Sequence, residues 1–361
     1  MNKKTLLALT TALGGLALPA LAEDITIMSW GGSYAAAENE AYYKPFTAES
    51  GIGVVSVDAD NPATPVKAQV DAGNVTTDVA LFLLSDAVRL CDEGQLMPID
   101  ASLLPDGVDG TPAEEDFLEG TLSECMIPND IYATAVAFDA SQYAEGEAPS
   151  SIADFFDTEK FPGKRGVLKS PKVVLEMALM ADGVPASEVY DVLDTDEGVD
   201  RAFAKLESIK DDAIYWEAGA QPPQLLADGE VVMTMSYNGR IFNAAVNEGK
   251  PFEVLWDGQV YEWEGYVIPE GAPNAEAAMD YIKYATSSEQ SASFSERISY
   301  GTPRKSAAPL VGNVHGTDIP MAPNLPTYPD NMTNALASSA EFWVDRETEL
   351  GERFNAWLLA N

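Results

Sequence analysis

Short β-branched runs set between helical patterns restrict this chain more than any other feature of its sequence. Ile25-Thr26-Ile27-Met28, Val54-Val55-Ser56-Val57 and Asp78–Leu83 are apolar runs of strand length. Ala35–Phe46 and Pro65–Ala72 lie between them with apolar residues at helical spacing, and Ser85–Glu93 follows and closes at Gly94. Pro45 and Gly51 mark the end of the first of these helices. Strands alternating with helices call for an α/β fold with a mostly parallel sheet under helices. Ligands of such sheets lie beyond the carboxyl ends of the strands. Residues 29–34 and 84–86 are therefore the first places to look for a site.

The pattern continues far enough to require a second unit. Ala133–Phe138 reads as a strand able to leave the first unit, and a second begins near Ser150. It takes in a strand at Val167-Leu168 and helices over Lys172–Met180, Val199–Lys210 and Gln224–Asp228. Strands follow at Val231–Met235, Glu253–Trp256 and Glu262–Ile268. Asp106–Glu119 is acidic and rich in turn residues, which reads as a surface excursion. Ala275–Thr286 is an amphipathic helix, Pro303–Pro329 mostly loop, and Ser339–Leu359 a closing helix.

The N-terminus reads as an address rather than as fold. Lys3 and Lys4 precede an apolar run, Thr5–Leu18, and Ala20-Leu21-Ala22 forms a small-x-small cleavage site. The run is too short to span a bilayer, and no cysteine at the cut offers a lipid anchor. Residues 1–22 are thus expected to be a cleaved signal peptide of a periplasmic protein. Cutting 22 residues from 361 leaves 339, more than the roughly 250–300 that one core usually serves. Two lobes are expected, 23–135 plus 264–308 and 136–263 plus 309–361.

Composition narrows the partners. The chain has 21 basic and 58 acidic residues, a net charge of −37; removing Lys3 and Lys4 leaves 19 basic residues and −39. Such a surface repels nucleic acid and anionic membrane. Two cysteines, Cys91 and Cys125, form one disulfide in an oxidising compartment or remain two buried thiols. A single histidine, His315, rules out a histidine-rich metal site. No cofactor, metal or catalytic residue is expected, and the chain is read as a monomer.

The segments Ser29-Trp30-Gly31-Gly32, Phe46–Ile52, Cys91–Asp100 and Ile127-Pro128 occur in order with Phe161-Pro162-Gly163-Lys164 and Leu226–Val231. Tyr237-Asn238-Gly239-Arg240, Gly271-Ala272-Pro273-Asn274 and Tyr300-Gly301-Thr302-Pro303 complete the series. Together they resemble the spermidine/putrescine-type solute-binding proteins of bacterial ABC importers. The resemblance implies a two-lobed periplasmic-binding-protein fold of type II, joined by crossover strands and closing on a small ligand for membrane permease subunits. It also implies that Trp30, Tyr237 and Tyr300 contact ligand and that Glu264 binds an amine.

Chemistry supports an amine-bearing ligand. Aromatic faces attract ammonium groups, and Trp30, Tyr34, Trp216, Tyr237, Trp263 and Tyr300 stand at loop or crossover positions. Polyamine receptors carry two acids before their Met-Ala-Leu helix, where this chain has Ser170 and Val173 ahead of Met177-Ala178-Leu179. Their Ser/Tyr pair after the third strand is Leu83 and Ser85 here. Arg240 offers a planar fork suited to a carboxylate. Asn238-Gly239-Arg240 with an acid two dozen residues later resembles the branch that binds 4-aminobutyrate. A polyamine and an ω-amino acid both stay open as ligands. A periplasmic enzyme lacks an evident Cys–His or Ser–His pair, and a metal receptor would need clustered Tyr, His or acid ligands, for which Tyr42-Tyr43 are available but sit in the first helix and read as structural.

Overall fold

Nine strands form one hydrogen-bonded sheet, ordered β2-β1-β3-β8-β4-β7-β5-β6 with β9 added beside β8, in a computed structural model that describes residues 24–360. The expected signal segment, 1–22, lies outside the described residues. On one side β1 (Ile25–Ser29), β2 (Val54–Asp58) and β3 (Val79–Leu83) run parallel. On the other, β5 (Arg165–Leu168), β6 (Ala213–Trp216) and β7 (Met233–Tyr237) run parallel. Between them lie β4 (Ile127–Asp139) and β8 (Phe252–Val267), antiparallel to each other and to their outer neighbours. The short β9 (Leu336–Ala337) pairs with β8.

The two largest apolar cores on this sheet lie one in each lobe. Ile27, Tyr42, Leu81, Tyr266, Ile282 and Phe294 belong to the first. Val167, Met177, Val199, Met235, Trp343 and Phe354 belong to the second. Among the described residues, β4 and β8 are the strands whose ladder runs from one lobe to the other. At about 3.3 Å per residue, the 16 residues of β8 span roughly 50 Å, long enough to serve both cores.

That continuity corrects the sequence reading, which split β8 into 253–256 and 262–268. Asp257-Gly258 has the composition of a turn but forms a bulge, where the β4 register jumps from Thr134↔Val260 to Val136↔Leu255. Gly258 has φ +76°, and a Cβ there would lie 2.5 Å from Ile152. The first helix is also longer than expected. It begins at Gly32 and reaches Ser50, with a π-helical turn at Asn39–Tyr43 ahead of Pro45. Proline lacks an N–H and its ring collides with the carbonyl four residues back. The widened turn removes that collision, so Pro45 sits inside the helix.

The acidic stretch 106–119 is not all surface. Asp116 is fully buried, its carboxylate 3.0 Å from the guanidinium of equally buried Arg304 and accepting from Ser306 N and Oγ. A charge taken from water needs such partners, and they lie 188 and 190 residues away in sequence. Strand β6 and the helix Ser288–Ser295 are additional to the elements expected. Phe161-Pro162-Gly163-Lys164 wraps a buried Arg165, which donates to the carbonyls of Phe155, Asp157, Phe161 and Gly163.

Cys91 and Cys125 are joined as a disulfide with Cα atoms 5.9 Å apart. The bond ties the end of the helix Leu84–Asp92 to the residue before Met126 and β4. Among the described residues no helix is long and apolar enough to cross a membrane.

Candidate functional site

The carboxyl ends of strands from both lobes converge on one cavity. Trp30 follows β1, Asp60 follows β2, and Leu83 ends β3; Glu217 and Gly219 follow β6, and Tyr237 and Arg240 lie at and beyond the end of β7. Tyr132, Glu264 and Tyr300 complete the lining with Tyr34. The cavity measures about 70 Å³. At roughly 10–15 Å³ for each water position, it suits a ligand of about half a dozen heavy atoms.

Its floor is a rung of the sheet. Leu83, Glu264 and Asp130 stand opposite one another across β3, β8 and β4, and Tyr132 opposes Glu262 on a rung further along. Residues two apart in a strand share a face, so these side chains all project to the cleft side. Tyr34 Oη donates to Asp130 Oδ2 at 2.6 Å, and Asn129 Nδ2 donates to the same oxygen at 2.9 Å. Burial pushes the Glu264 carboxyl well above the usual range, and the neighbouring Asp130 adds to the shift. Burial likewise pushes Asp130 up to about 7, against the hydrogen bonds from Tyr34 and Asn129 that favour its charged form. A cation brought to Glu264 would relieve the first of these shifts.

The opposite wall is cationic. Arg240, in the short helix Asn238–Phe242, crosses from the second lobe to the first-lobe loop after β1. It donates through Nη1 to Gly31 O at 3.1 Å and Ser33 Oγ at 3.2 Å, and through Nη2 to Trp30 O at 3.4 Å. Arg240 Nε is buried without a partner among the described residues. The close approach requires glycine at position 32, where φ is +59° and a Cβ would lie 2.6 Å from Arg240 Nη1. Gly219 keeps the cavity open in the same way: a Cβ there would lie 2.9 Å from the Tyr237 ring.

Aromatic rings line the space between acid and base. Tyr34 meets Tyr300 at 5.9 Å between centroids, Tyr300 meets Tyr132 at 5.8 Å, and Tyr132 meets Tyr237 edge-on at 5.6 Å. Such edge and tilted contacts fix ring orientation. Gly301 exchanges backbone hydrogen bonds with Ile131, which anchors Tyr300 beside β4.

Six residues singled out from sequence line this cavity: Trp30, Tyr34, Tyr237, Arg240, Glu264 and Tyr300. Three do not. Trp216 is buried behind the wall, edge-on to Tyr237 at 5.5 Å. Trp263 neighbours Glu264 in an extended strand, so it faces the other side of the sheet and packs with the cluster of Phe82, Leu90 and Met126. Ser85 is buried and accepts from Lys172 Nζ at 3.2 Å. Tyr42 and Tyr43, the tyrosines available to a metal reading, are buried core rings; Tyr42 stacks on Phe294 at 5.1 Å. Among the described residues no cluster of three or more His, Cys, Asp or Glu side chains could hold a metal ion. Sequence reasoning passed over Asp60, Tyr132, Glu217 and Gly219. The signal that could have found the last two was β6, whose carboxyl end they follow.

Residues 41–327 match the family described as bacterial extracellular solute-binding protein. The chain is 42% identical over 350 residues to the gamma-aminobutyric acid-binding protein of Pseudomonas aeruginosa, covering 96% of this chain and 95% of that one. Two solved structures share the fold. The periplasmic binding protein MotA of A. tumefaciens B6, in complex with glucopine, superposes with a TM-score of 0.82 at 28% identity, over 93% of this chain and all of that one. The Atu4243-GABA receptor gives a TM-score of 0.77 at 30% identity, over 94% and 98%. The chain belongs to the bacterial extracellular solute-binding proteins.

Proposed function

We propose that this solute-binding protein captures a small ω-amino acid of the 4-aminobutyrate type between its lobes. The observation that carries the reading is the pairing of one guanidinium, Arg240, and one carboxyl, Glu264, in the lining of a single cavity walled by aromatic rings. The ligand carboxylate meets the Arg240 fork, its ammonium meets Glu264, and its methylene chain lies among Trp30, Tyr34, Tyr237 and Tyr300. A bidentate carboxylate contact is both stronger and more directional than a neutral hydrogen bond. An ammonium against aromatic faces gains about 0.5–2 kcal/mol for each favourable ring, according to its desolvation. The size of the cavity and the names of the two amino-acid-binding relatives agree with this choice.

The same proposal places the mature protein in the periplasm after cleavage behind Ala22. It acts there as a monomer that presents the closed form to permease subunits, the lobes being 23–135 plus 264–308 and 136–263 plus 309–361. Arg240 then acts as a clasp, since it already bridges the loop after β1 and the helix after β7.

Calorimetry with 4-aminobutyrate, butylamine, butanoate and 1,4-diaminobutane tests the reading. Each singly charged analogue should bind at least tenfold more weakly than the zwitterion, because each forgoes one of the two charge-assisted contacts. Equal binding of butylamine would remove the role given to Arg240. Tight binding of 1,4-diaminobutane with no response to 4-aminobutyrate would overturn the proposal.

A further inference from the structure

Glu262 and Glu264 share one face of β8, two residues and therefore about 7 Å apart, and both are buried. Two buried carboxylates at that spacing suit a linear diamine. In this protein one of them is already matched. Lys172 Nζ lies 2.6 Å from Glu262 Oε1, and Tyr132 Oη donates to Glu262 Oε2 at 2.8 Å. The Lys172 and Glu262 side chains are 9% and 8% exposed, so this is an interior ion pair and not a surface one. Burial alone would lower the Lys172 pKa; the facing Glu262 carboxylate outweighs burial and holds it above its ordinary value.

The backbone is strained at the next residue. Val173 has φ +74° and ψ −44° and is the single non-glycine residue with positive φ among the described residues. That region is rare for any side chain and a genuine outlier for a β-branched one. Strain of this kind persists where surrounding structure holds it, and it concentrates at functional sites. Here it lies between Lys172 and the helix Val174–Ala181.

We propose that Lys172 is a specificity-determining residue: a tethered ammonium that occupies Glu262, leaves Glu264 as the carboxylate open to a ligand amine, and so excludes diamines from the cleft. The inference rests on the amine-binding reading of the cavity and narrows it to ligands with one amine. Tyr132 links the two positions, since it lines the cavity and also donates to Glu262.

The test is Lys172→Ala, followed by calorimetry and thermal melting with 1,4-diaminobutane, propylammonium and propanol. The variant should bind 1,4-diaminobutane at least tenfold more tightly than wild type. Its melting temperature should rise with propylammonium and not with propanol, because only the cation replaces the missing charge. Lys172→Ala combined with Glu262→Gln should lose the gain, which identifies Glu262 as the acceptor. Lys172→Ser keeps a hydroxyl beside Glu262 and carries the same expectation if the alanine variant does not fold. A folded Lys172 variant no more responsive to diamine or propylammonium than wild type would overturn the role of Lys172. Failure of wild type to bind 4-aminobutyrate would count against the functional reading instead, and the diamine comparison would still report on Lys172.

Discussion

Glu264 stands directly opposite Asp130 on the β8–β4 ladder, and both carboxyls are buried. Two like charges so placed cannot both ionise cheaply, which makes the pair a proton store at the floor of the cavity. Burial first, and Asp130 second, push Glu264 well above the usual carboxylate range, while Asp130 is pushed up to about 7. An ammonium arriving at Glu264 favours the ionised form, so binding should release a proton. Affinity for 4-aminobutyrate should therefore rise with pH while the empty site still holds that proton, by at most about tenfold per unit. Calorimetry at pH 6 and pH 8, in buffers of different ionisation enthalpy, measures both quantities. Equal affinities with no proton exchange would contradict the argument.

Glu38 sets a separate pH dependence, on stability rather than binding. It is fully buried in the first helix, where Ser29 Oγ donates to Oε2 at 2.5 Å, and burial pushes its pKa up to about 8. A folded-state pKa raised above the unfolded value means that the neutral form suits the fold. Its contribution is fully present below the unfolded value near 4.5 and is lost as pH rises through about 8. The loss by pH 8 is on the order of 4 kcal/mol. Thermal melts should thus show lower stability at pH 8 than at pH 5, and Glu38→Gln should flatten that slope. A slope unchanged by the substitution would assign the effect to other groups.

The disulfide yields the most local expectation. Cys91 and Cys125 are 34 residues apart in sequence, and closing a loop of that length stabilises by about 3–4 kcal/mol on the chain-entropy model. Reduction, or Cys91→Ser with Cys125→Ser, should lower the denaturation midpoint by a corresponding amount. Alkylation of unfolded, unreduced protein should find no free thiol.

What the sequence revealed follows period and distance. The parallel strands β1, β2 and β3 and the helices between them were legible because each carries its pattern within a dozen residues. So were the loops after β1 and β7, which hold Trp30 and Arg240. Trp263 and Glu264 could not both face one cleft, and strand alternation alone would have removed the tryptophan. β6 is only four residues long, and its loss hid Glu217 and Gly219. Lys172 and Asp116 were invisible for a different reason. Lysine and aspartate are ordinarily solvent-exposed, and nothing local signals that a partner 90 or 188 residues away will bury them.

Arg240 separates the ligand classes. Its fork already holds Gly31 O and Ser33 Oγ across the cleft through Nη1, while Nε is buried without a partner among the described residues. Truncation to Ala would remove a charge-assisted pair from a desolvated site, a loss of about 2–5 kcal/mol in 4-aminobutyrate affinity. Arg240→Lys should restore only part of it, because a point charge cannot reproduce the planar two-donor geometry. For a diamine the sign reverses: the guanidinium repels the second ammonium, so Arg240→Ala should leave diamine affinity unchanged or improve it. Glu264→Gln should weaken both ligands, since each presents an ammonium. Calorimetry of 4-aminobutyrate and 1,4-diaminobutane against wild type and these three variants decides between them. If Arg240→Ala and wild type bind 4-aminobutyrate equally, the carboxylate is held elsewhere and Arg240 serves closure alone.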